Sequence, residues 1–333
     1  MTQAIEKPYH LLKADHFDRR FLEHICKLTD HIRKLDKTKD GLMYLRGLLA
    51  HKRAMLYFTQ PSTRTFLSFQ TACQILGIST SEIRDSSTSS ERKGESIEDS
   101  LRTFSSYVDL IIMRTPVPGL CDNIASMLDE TPRPVPVINA GSGPDQHPTQ
   151  AVLDIYTLMR SFRQHGGIDG KTIMMVGDLK RGRTARSLAL LLSYFDDVKI
   201  IFSSPEEFRI DSDLKDKLYR GKLSFEETAK FSEVLPLADA IYMTRVQDEY
   251  DTTVGDSKKV DSSKYHLKYE HMTSLKKDCV IMHPLPRRNE LDKRIDADPR
   301  AKYWRQERNG MWTRVALITK VLGVDNHIIL PDL

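Results

Sequence analysis

Short apolar runs punctuate the chain at 55–58 (MLYF), 108–113 (VDLIIM), 135–139 (VPVIN), 172–177 (TIMMVG), 198–202 (VKIIF), 240–244 (AIYMT) and 279–283 (CVIMH). Their apolar character is continuous, the pattern of strands buried on both faces of a parallel sheet. Between most of them lie stretches of helical periodicity, at 17–34, 94–107, 148–162, 183–194 and 309–322. A further helix is predicted to start near Ser62, because Phe69, Ala72, Cys73 and Leu76 share one face, Pro61 and Ser62 suit its entry and Gly77 its end. Strands alternating with helices predict the α/β class, here as two doubly wound parallel-sheet domains with an active-site cleft between them. The pattern breaks at a Gly/Pro-rich turn, GSGPDQHPTQ at 141–150, which marks the domain boundary. Two loops, 85–96 and 248–270, hold few apolar residues and are expected to be functional lids or mobile surface.

Composition narrows the class without naming a function. The 333 residues suffice for about two domains. Hydrophobic and charged residues make up 40% and 29%, ordinary globular values that argue against extended disorder. Lys and Arg number 50 against 46 Asp and Glu, a formal charge of +4, too small to imply nucleic acid as partner. Cys26, Cys73, Cys121 and Cys279 lie far apart among apolar neighbours without metal-binding spacing, which reads as reduced structural thiols in a cytoplasmic protein. The N-terminal stretch has no basic segment followed by an apolar core, and no apolar run approaches membrane-spanning length, so a soluble protein without a membrane partner is expected.

Charge becomes informative in FTQPSTRTFLSF, residues 58–69. The first turn of a helix carries about half a positive charge on its free N–H groups and favours Asp or Glu. Arg64 in that place costs stability unless an anion joins it. A lone Arg64 could simply face water. A strand, a tight turn, free N–H groups, the hydroxyls of Ser62, Thr63 and Thr65, and a guanidinium together describe a phosphate seat.

In open α/β sheets, ligands bind beyond the carboxyl ends of the strands. The residues following the predicted strands are therefore the candidates: PSTRT (61–65), then Arg114, then Gly141, Gly143, Gln146, His147 and Gln150. Further along come Gly177, Asp178, Lys180, Gly182 and Arg183, then Arg245 and Gln247, then His283-Pro284-Leu285-Pro286-Arg287. Such a rim is cationic and rich in hydrogen-bond donors, without a carboxylate pair, a Ser/His/Asp set or a metal cluster. It suits anionic substrates and catalysis by positioning and charge stabilisation. Each residue also has a plainer reading: His147 as a helix cap or core histidine, Arg114 and Arg183 as surface charges, HPLPR as a rigid turn. GDLKRGRT (177–184) imitates a phosphate-binding GxxxxGK[ST] loop, but Arg183 stands where the Lys belongs, and a carboxylate is the better anion for a helix opened by Arg183.

With PSTRT, KGE (93–95), MRTP (113–116), GSGPDQHPTQ, GDLKRGRT, TRVQ (244–247) and HPLPR (283–287) in order, the chain resembles the catalytic chains of the aspartate carbamoyltransferases along nearly its whole length. The resemblance implies a first domain over 1–146 that binds carbamoyl phosphate, onto which a closing helix at about 309–325 packs back, and an aspartate-binding domain over 147–308. It implies transfer of the carbamoyl group to L-aspartate in pyrimidine synthesis, with no metal or organic cofactor. Ser62, Thr63, Arg64 and Thr65 would hold the phosphate. Thr65, Arg114 and His147 would donate to the carbamoyl oxygen, and Gln150 would bind the carbamoyl amide. Arg183, Arg245 and Gln247 would hold the carboxylates of aspartate, with Leu285 and Pro286 orienting the nitrogens. The family implies a homotrimer in which Ser89 and Lys93 complete a neighbour's site, and leaves any regulatory subunit open.

Three positions depart from the family pattern: Gln60 stands for Glu, Phe66 for Arg and Tyr250 for Arg. Their joint loss of charge leads to the expectation that the domains close through other contacts. Competing readings are an ornithine carbamoyltransferase, disfavoured by HPLP and a missing SMG signature; a nucleotide-dependent phosphotransferase using GDLKRGRT; and a catalytically silent paralogue serving as an assembly subunit.

Overall fold

The structure, a computed structural model, describes residues 9–85, 94–143, 146–251, 253 and 255–328, with Tyr250 by its backbone. The chain divides into two compact units: Met1–Thr149 with Gly310–Leu333, and Gln150–Asn309.

The first unit runs α1 (Arg19–Leu35), α2 (Lys39–Leu48), β1 (Arg53–Phe58), α3 (Thr63–Ile75), β2 (Ser79–Ile83), α4 (Ile97–Ser105), β3 (Leu110–Thr115), α5 (Leu120–Asp129) and β4 (Val137–Ser142). Its sheet is ordered β2-β1-β3-β4, with every pairing parallel. β3 and β4 are buried along their whole length, as continuous apolar runs require. Ile111, Met113, Leu120, Ile124, Leu128 and Val137 form a core beneath α5. Each such side chain contributes about 1.5–3 kcal/mol on burial.

α6 (Pro148–Ser161) contains the boundary between the units. The second unit continues with β5 (Thr172–Val176), α7 (Arg183–Leu192), β6 (Lys199–Ser203), α8 (Ser212–Arg220), β7 (Ser224–Thr228), α9 (Phe231–Val234), β8 (Ala240–Met243), β9 (Val280–Met282) and α10 (Tyr303–Val321), the last crossing back. Its parallel sheet is ordered β7-β6-β5-β8-β9. Two doubly wound parallel sheets are thus the architecture that the apolar pattern predicts.

Several elements differ from the pattern's expectation. β2 (STSEI) and β7 (SFEET) are edge strands with no fully buried position, and owe their conformation to pairing with β1 and β6. α4 starts at Ile97 and not near Gly94, because Ser96 caps it by accepting from Asp99 N at 3.0 Å. α10 starts at Tyr303, ahead of 309, since the polar residues that hide its first turns, Gln306 and Asn309, are fully buried and hydrogen-bonded.

The 248–270 loop, expected as a lid or mobile surface, is held at several described positions. Arg181 Nη1 donates to Asp251 Oδ1 at 2.6 Å and Nη2 to Ser257 Oγ at 2.8 Å, while Tyr265 and Leu267 join the core of the second unit. Its charges are met partly within the loop and partly by neighbouring loops, and two apolar residues anchor it. All four cysteines are buried. Among the described residues no helix is long and apolar enough to cross a membrane.

Candidate active site

Sheet order locates where ligands should bind. In the first sheet the order reverses between β1 and β3, in the second between β5 and β8. A crevice opens past the carboxyl ends of strands at such switch points. PSTRT follows β1, Arg114 ends β3, Gly177 to Arg183 follow β5, and Arg245 follows β8. Four of the six candidate groups therefore flank a switch point.

In the first unit, Ser62 is the N-cap of α3 but makes no side-chain cap bond, and the first turn holds no acidic residue. Thr63 and Arg64 are exposed there, while Thr65 is buried. Opposite, the β3–β4 register shifts between Met113 and Thr115, at Arg114. Bulges of this kind re-aim a side chain. Arg114 is 7% exposed, and its Nη1 donates to the Ala140 carbonyl at 3.2 Å.

Gly141, with φ +110°, is the centre of this cluster. A Cβ there would lie 2.7 Å from Arg114 Nη1 and 3.3 Å from His147 Cδ2, so guanidinium and imidazole both rest against bare backbone. The turn is shaped by Asn139: its Oδ1 accepts from Gly141 N at 2.7 Å, and its Nδ2 donates to Ser142 Oγ at 3.1 Å and to Leu12 O at 2.9 Å. Thr149 Oγ1 lies 3.5 Å from His147 Nδ1. Gln146, a strand-end candidate, is turned to structure, accepting from Ala14 N at 2.6 Å.

In the second unit, Gly177 (φ +111°) lets the end of β5 touch the end of β8, since a Cβ would fall 2.2 Å from the Thr244 carbonyl. Fully buried Asp178 binds both neighbouring loops. It accepts from Arg181 Nε at 2.8 Å and from Gln247 N at 3.0 Å. Arg183 opens α7 and is buried. Arg245 donates from Nη1 to Val246 O at 2.9 Å and is gripped through both Nη atoms by Glu249. Burial opposes ionisation of Glu249, but the Arg245 hydrogen bonds hold its carboxyl below the usual range. The Arg288 fork likewise lowers Asp248, meeting it in two bonds of 2.9 Å. A cavity of about 170 Å³ at the β5 and β8 ends is lined in part by Gly177, Thr244, His266, Arg288 and Glu290.

A buried polar network lies within the second unit. Asp154 of α6 is fully buried; its Oδ1 accepts from Gln150 Nε2 at 3.0 Å and Gln306 Nε2 at 2.7 Å, its Oδ2 from the Tyr242 hydroxyl at 2.7 Å. Burial pushes the carboxyl up to about 7 against those three hydrogen bonds. Thr184, beside Arg183, hydrogen-bonds the Tyr242 hydroxyl. Gln306 Oε1 accepts from His283 N at 3.0 Å, and His283 Nδ1 from Leu285 N at 2.7 Å. The His283 proton therefore sits on Nε2, which faces Glu290 Oε1 at 2.8 Å, and burial keeps the ring below its ordinary pKa. This frame presents Leu285, at φ +49°, and the cis peptide to Pro286.

The structure thus groups Ser62, Thr63, Arg64, Thr65, Arg114 and His147 in the first unit and Gln150, Arg183, Arg245, Gln247, Leu285 and Pro286 in the second. Ser89 and Lys93 lie outside the described residues. Of the departures, Phe66 is buried edge-on against Phe58 at 5.4 Å, and the Arg84 guanidinium stacks 4.5 Å above its ring, a cation supplied from beside β2. Gln60 N donates to the Arg114 carbonyl at 3.3 Å, and Tyr250 ends a short 3-10 turn, Asp248–Tyr250. Asn139, Asp154, Tyr242, Gln306 and Glu290 were not singled out as site residues from sequence. The one available signal was that Asn139 and Asp154 are polar inside otherwise apolar segments. Among the described residues no group of three or more His, Cys, Asp and Glu could hold a metal.

Comparison with known proteins places the chain in a family. Residues 9–160 match the family model described as the aspartate/ornithine carbamoyltransferase carbamoyl-P binding domain, and residues 169–321 match the Asp/Orn binding domain of the same family. The chain is 39% identical to the chloroplastic aspartate carbamoyltransferase of Arabidopsis thaliana, over 94% of this chain and 77% of that one. It is 40% identical to the aspartate carbamoyltransferase catalytic subunit of Methanocaldococcus jannaschii, over 90% of this chain and 94% of that one. In structure it is similar to the aspartate transcarbamoylase of Trypanosoma cruzi in complex with N-(phosphonacetyl)-L-aspartic acid, with a TM-score of 0.84 and 31% identity, covering 95% of this chain and 96% of that one.

Proposed function

Because the chain belongs to the aspartate/ornithine carbamoyltransferase family, we propose that it transfers the carbamoyl group of carbamoyl phosphate to the amine of L-aspartate, giving N-carbamoyl-L-aspartate and phosphate, a step of pyrimidine synthesis. The observation that carries this reading is the buried pair Arg114 and His147 against Gly141, at the carboxyl ends of β3 and β4. Two preorganised donors in a place shielded from water suit an oxygen that becomes negative in the transition state.

The first unit binds carbamoyl phosphate and the second binds aspartate. Ser62, Thr63, Arg64 and Thr65 take the phosphate at the start of α3, and Arg114, His147 and Thr65 take the carbonyl oxygen. Gln150 takes the amide, Arg183, Arg245 and Gln247 the carboxylates, and Leu285 and Pro286 the nitrogens. The neutral amine attacks the carbonyl carbon, and the new C–N bond puts charge on oxygen. The C–O bond to phosphorus then breaks, and phosphate leaves with the electron pair and accepts the proton of the amine. Each donor to the oxyanion is worth about 3 kcal/mol.

The protein works in the cytoplasm as a homotrimer, Ser89 and Lys93 of one subunit completing the next subunit's site. Incubation with carbamoyl phosphate and either L-aspartate or ornithine, with detection of the carbamoylated product, tests the reaction. Carbamoyl-aspartate alone is expected, and carbamoyl-ornithine or no product overturns the reading. Mixing inactive Lys93→Ala and His147→Ala subunits restores part of the activity if sites are shared, and none if they are not.

A further inference from the structure

Gln306 is the fixed point of the buried network, because its Oε1 accepts from a backbone N–H, that of His283. Its Nε2 must then face Asp154, which makes Asp154 Oδ1 an acceptor. Gln150 shares that oxygen, so it too presents Nε2 to Asp154 and turns its own Oε1 the other way. From this geometry we infer that Asp154 is a positioning residue: it locks the Gln150 amide so that Oε1 faces the substrate, and thereby selects an acyl phosphate bearing an N–H donor. The inference rests on the proposed carbamoyl transfer and adds to it the origin of donor selectivity.

The lock holds in either protonation state of the carboxyl. The side chains meeting Asp154 are Gln150 from its own helix, Tyr242 from β8 and Gln306 from α10, with the Glu307 charge nearby. With Oδ1 committed to two N–H donors, a proton on Asp154 sits on Oδ2, toward the Tyr242 hydroxyl, which can turn to Thr184. Oδ1 remains an acceptor throughout. A free Gln150 amide would instead flip between a donor and an acceptor face, and the site would no longer distinguish an amino group from a methyl group. A site built to accept a hydrogen bond loses affinity for the partner that donates one when that acceptor is misdirected, while the partner without the donor is indifferent.

The probe is acetyl phosphate, the methyl isostere of carbamoyl phosphate. KM for carbamoyl phosphate and the competitive Ki for acetyl phosphate are measured on wild type, Asp154→Ala and Asp154→Asn, alongside thermal melting. Asp154→Ala is expected to raise KM for carbamoyl phosphate roughly tenfold, the worth of one hydrogen bond, and to leave Ki for acetyl phosphate within about twofold. Asp154→Asn keeps an acceptor oxygen and should restore the wild-type ratio. Should alanine fail to fold, Asp154→Ser, too short to reach Gln150, takes its place with the same expectation. Equal losses for both ligands in the alanine or serine variant, or no change in either, overturn the inference, because a purely structural role moves both together. An inactive wild type would instead count against the proposed reaction.

Discussion

The turn after β4 and the loop after β8 both follow strands whose ends carry candidate site residues, yet they are held by opposite means. The first is shaped by neutral groups: an Asn139 side chain reading backbone N–H and C=O, and a glycine at φ +110° that no other residue replaces without strain. The second is a lattice of charges, with Asp178 and Asp251 on Arg181, Glu249 on Arg245 and Asp248 on Arg288. Neutral bonds fix a backbone tightly and do not respond to pH. Ionic ones hold a long polar segment that has little apolar surface to bury, at the cost of sensitivity to protonation.

The sharpest way to break this comparison is at the neutral turn. Gly141→Ala would push a methyl to 2.7 Å from Arg114 Nη1. It should lower kcat on the order of 100-fold, about 3 kcal/mol of lost oxyanion stabilisation, and more than it lowers stability. Steady-state kinetics beside thermal melting decides, and an unchanged kcat removes Gly141 from the argument.

The charged loop should yield less in rate and more in stability. Asp178→Asn weakens bonds to Arg181 and Gln247 N at a fully buried position. It is expected to cost about 2–3 kcal/mol in urea denaturation, the range for hydrogen bonds to a charged group, and to raise KM for aspartate more than it lowers kcat.

The smallest effect separates the two loops by pH. Hydrogen bonds from Ser257 and Arg181 draw Asp251 down to about 2, and Arg partners hold Asp248 and Glu249 below their usual range. Each folded value lies under its unfolded value of about 4, so these ties are complete above that pH and are lost as pH falls toward about 2. Hydrogen exchange, corrected for intrinsic rates, should show residues 246–251 and 255–257 opening in that window while 139–143 stays protected. Parallel opening of both would mean that charge is not what distinguishes them.

The central strands and the helix start at PSTRT were legible in the sequence, because each is a local property: unbroken apolar residues for two-faced burial, or a Pro-Ser entry ahead of a one-faced apolar stripe. The rim of candidates was legible through the strand-end rule. Illegible were β2 and β7, whose polar residues carry no strand pattern, and the early start of α10, whose buried Gln306 and Asn309 look like surface residues. The loop after β8 looked free because several of its charges are paired with partners on other loops, Asp251 with Arg181 and Asp248 with Arg288.

What the amino-acid order settled alone is therefore the class of fold, the positions of its interior strands and the chemical character of the groups at their ends. Which polar residues are structural was decided by the tertiary fold. Asp154 and Gln306 are 152 residues apart. An apolar residue announces its burial through its neighbours in sequence, whereas a polar one is stable inside only when a partner arrives, and that partner is supplied by the assembled sheet and helices.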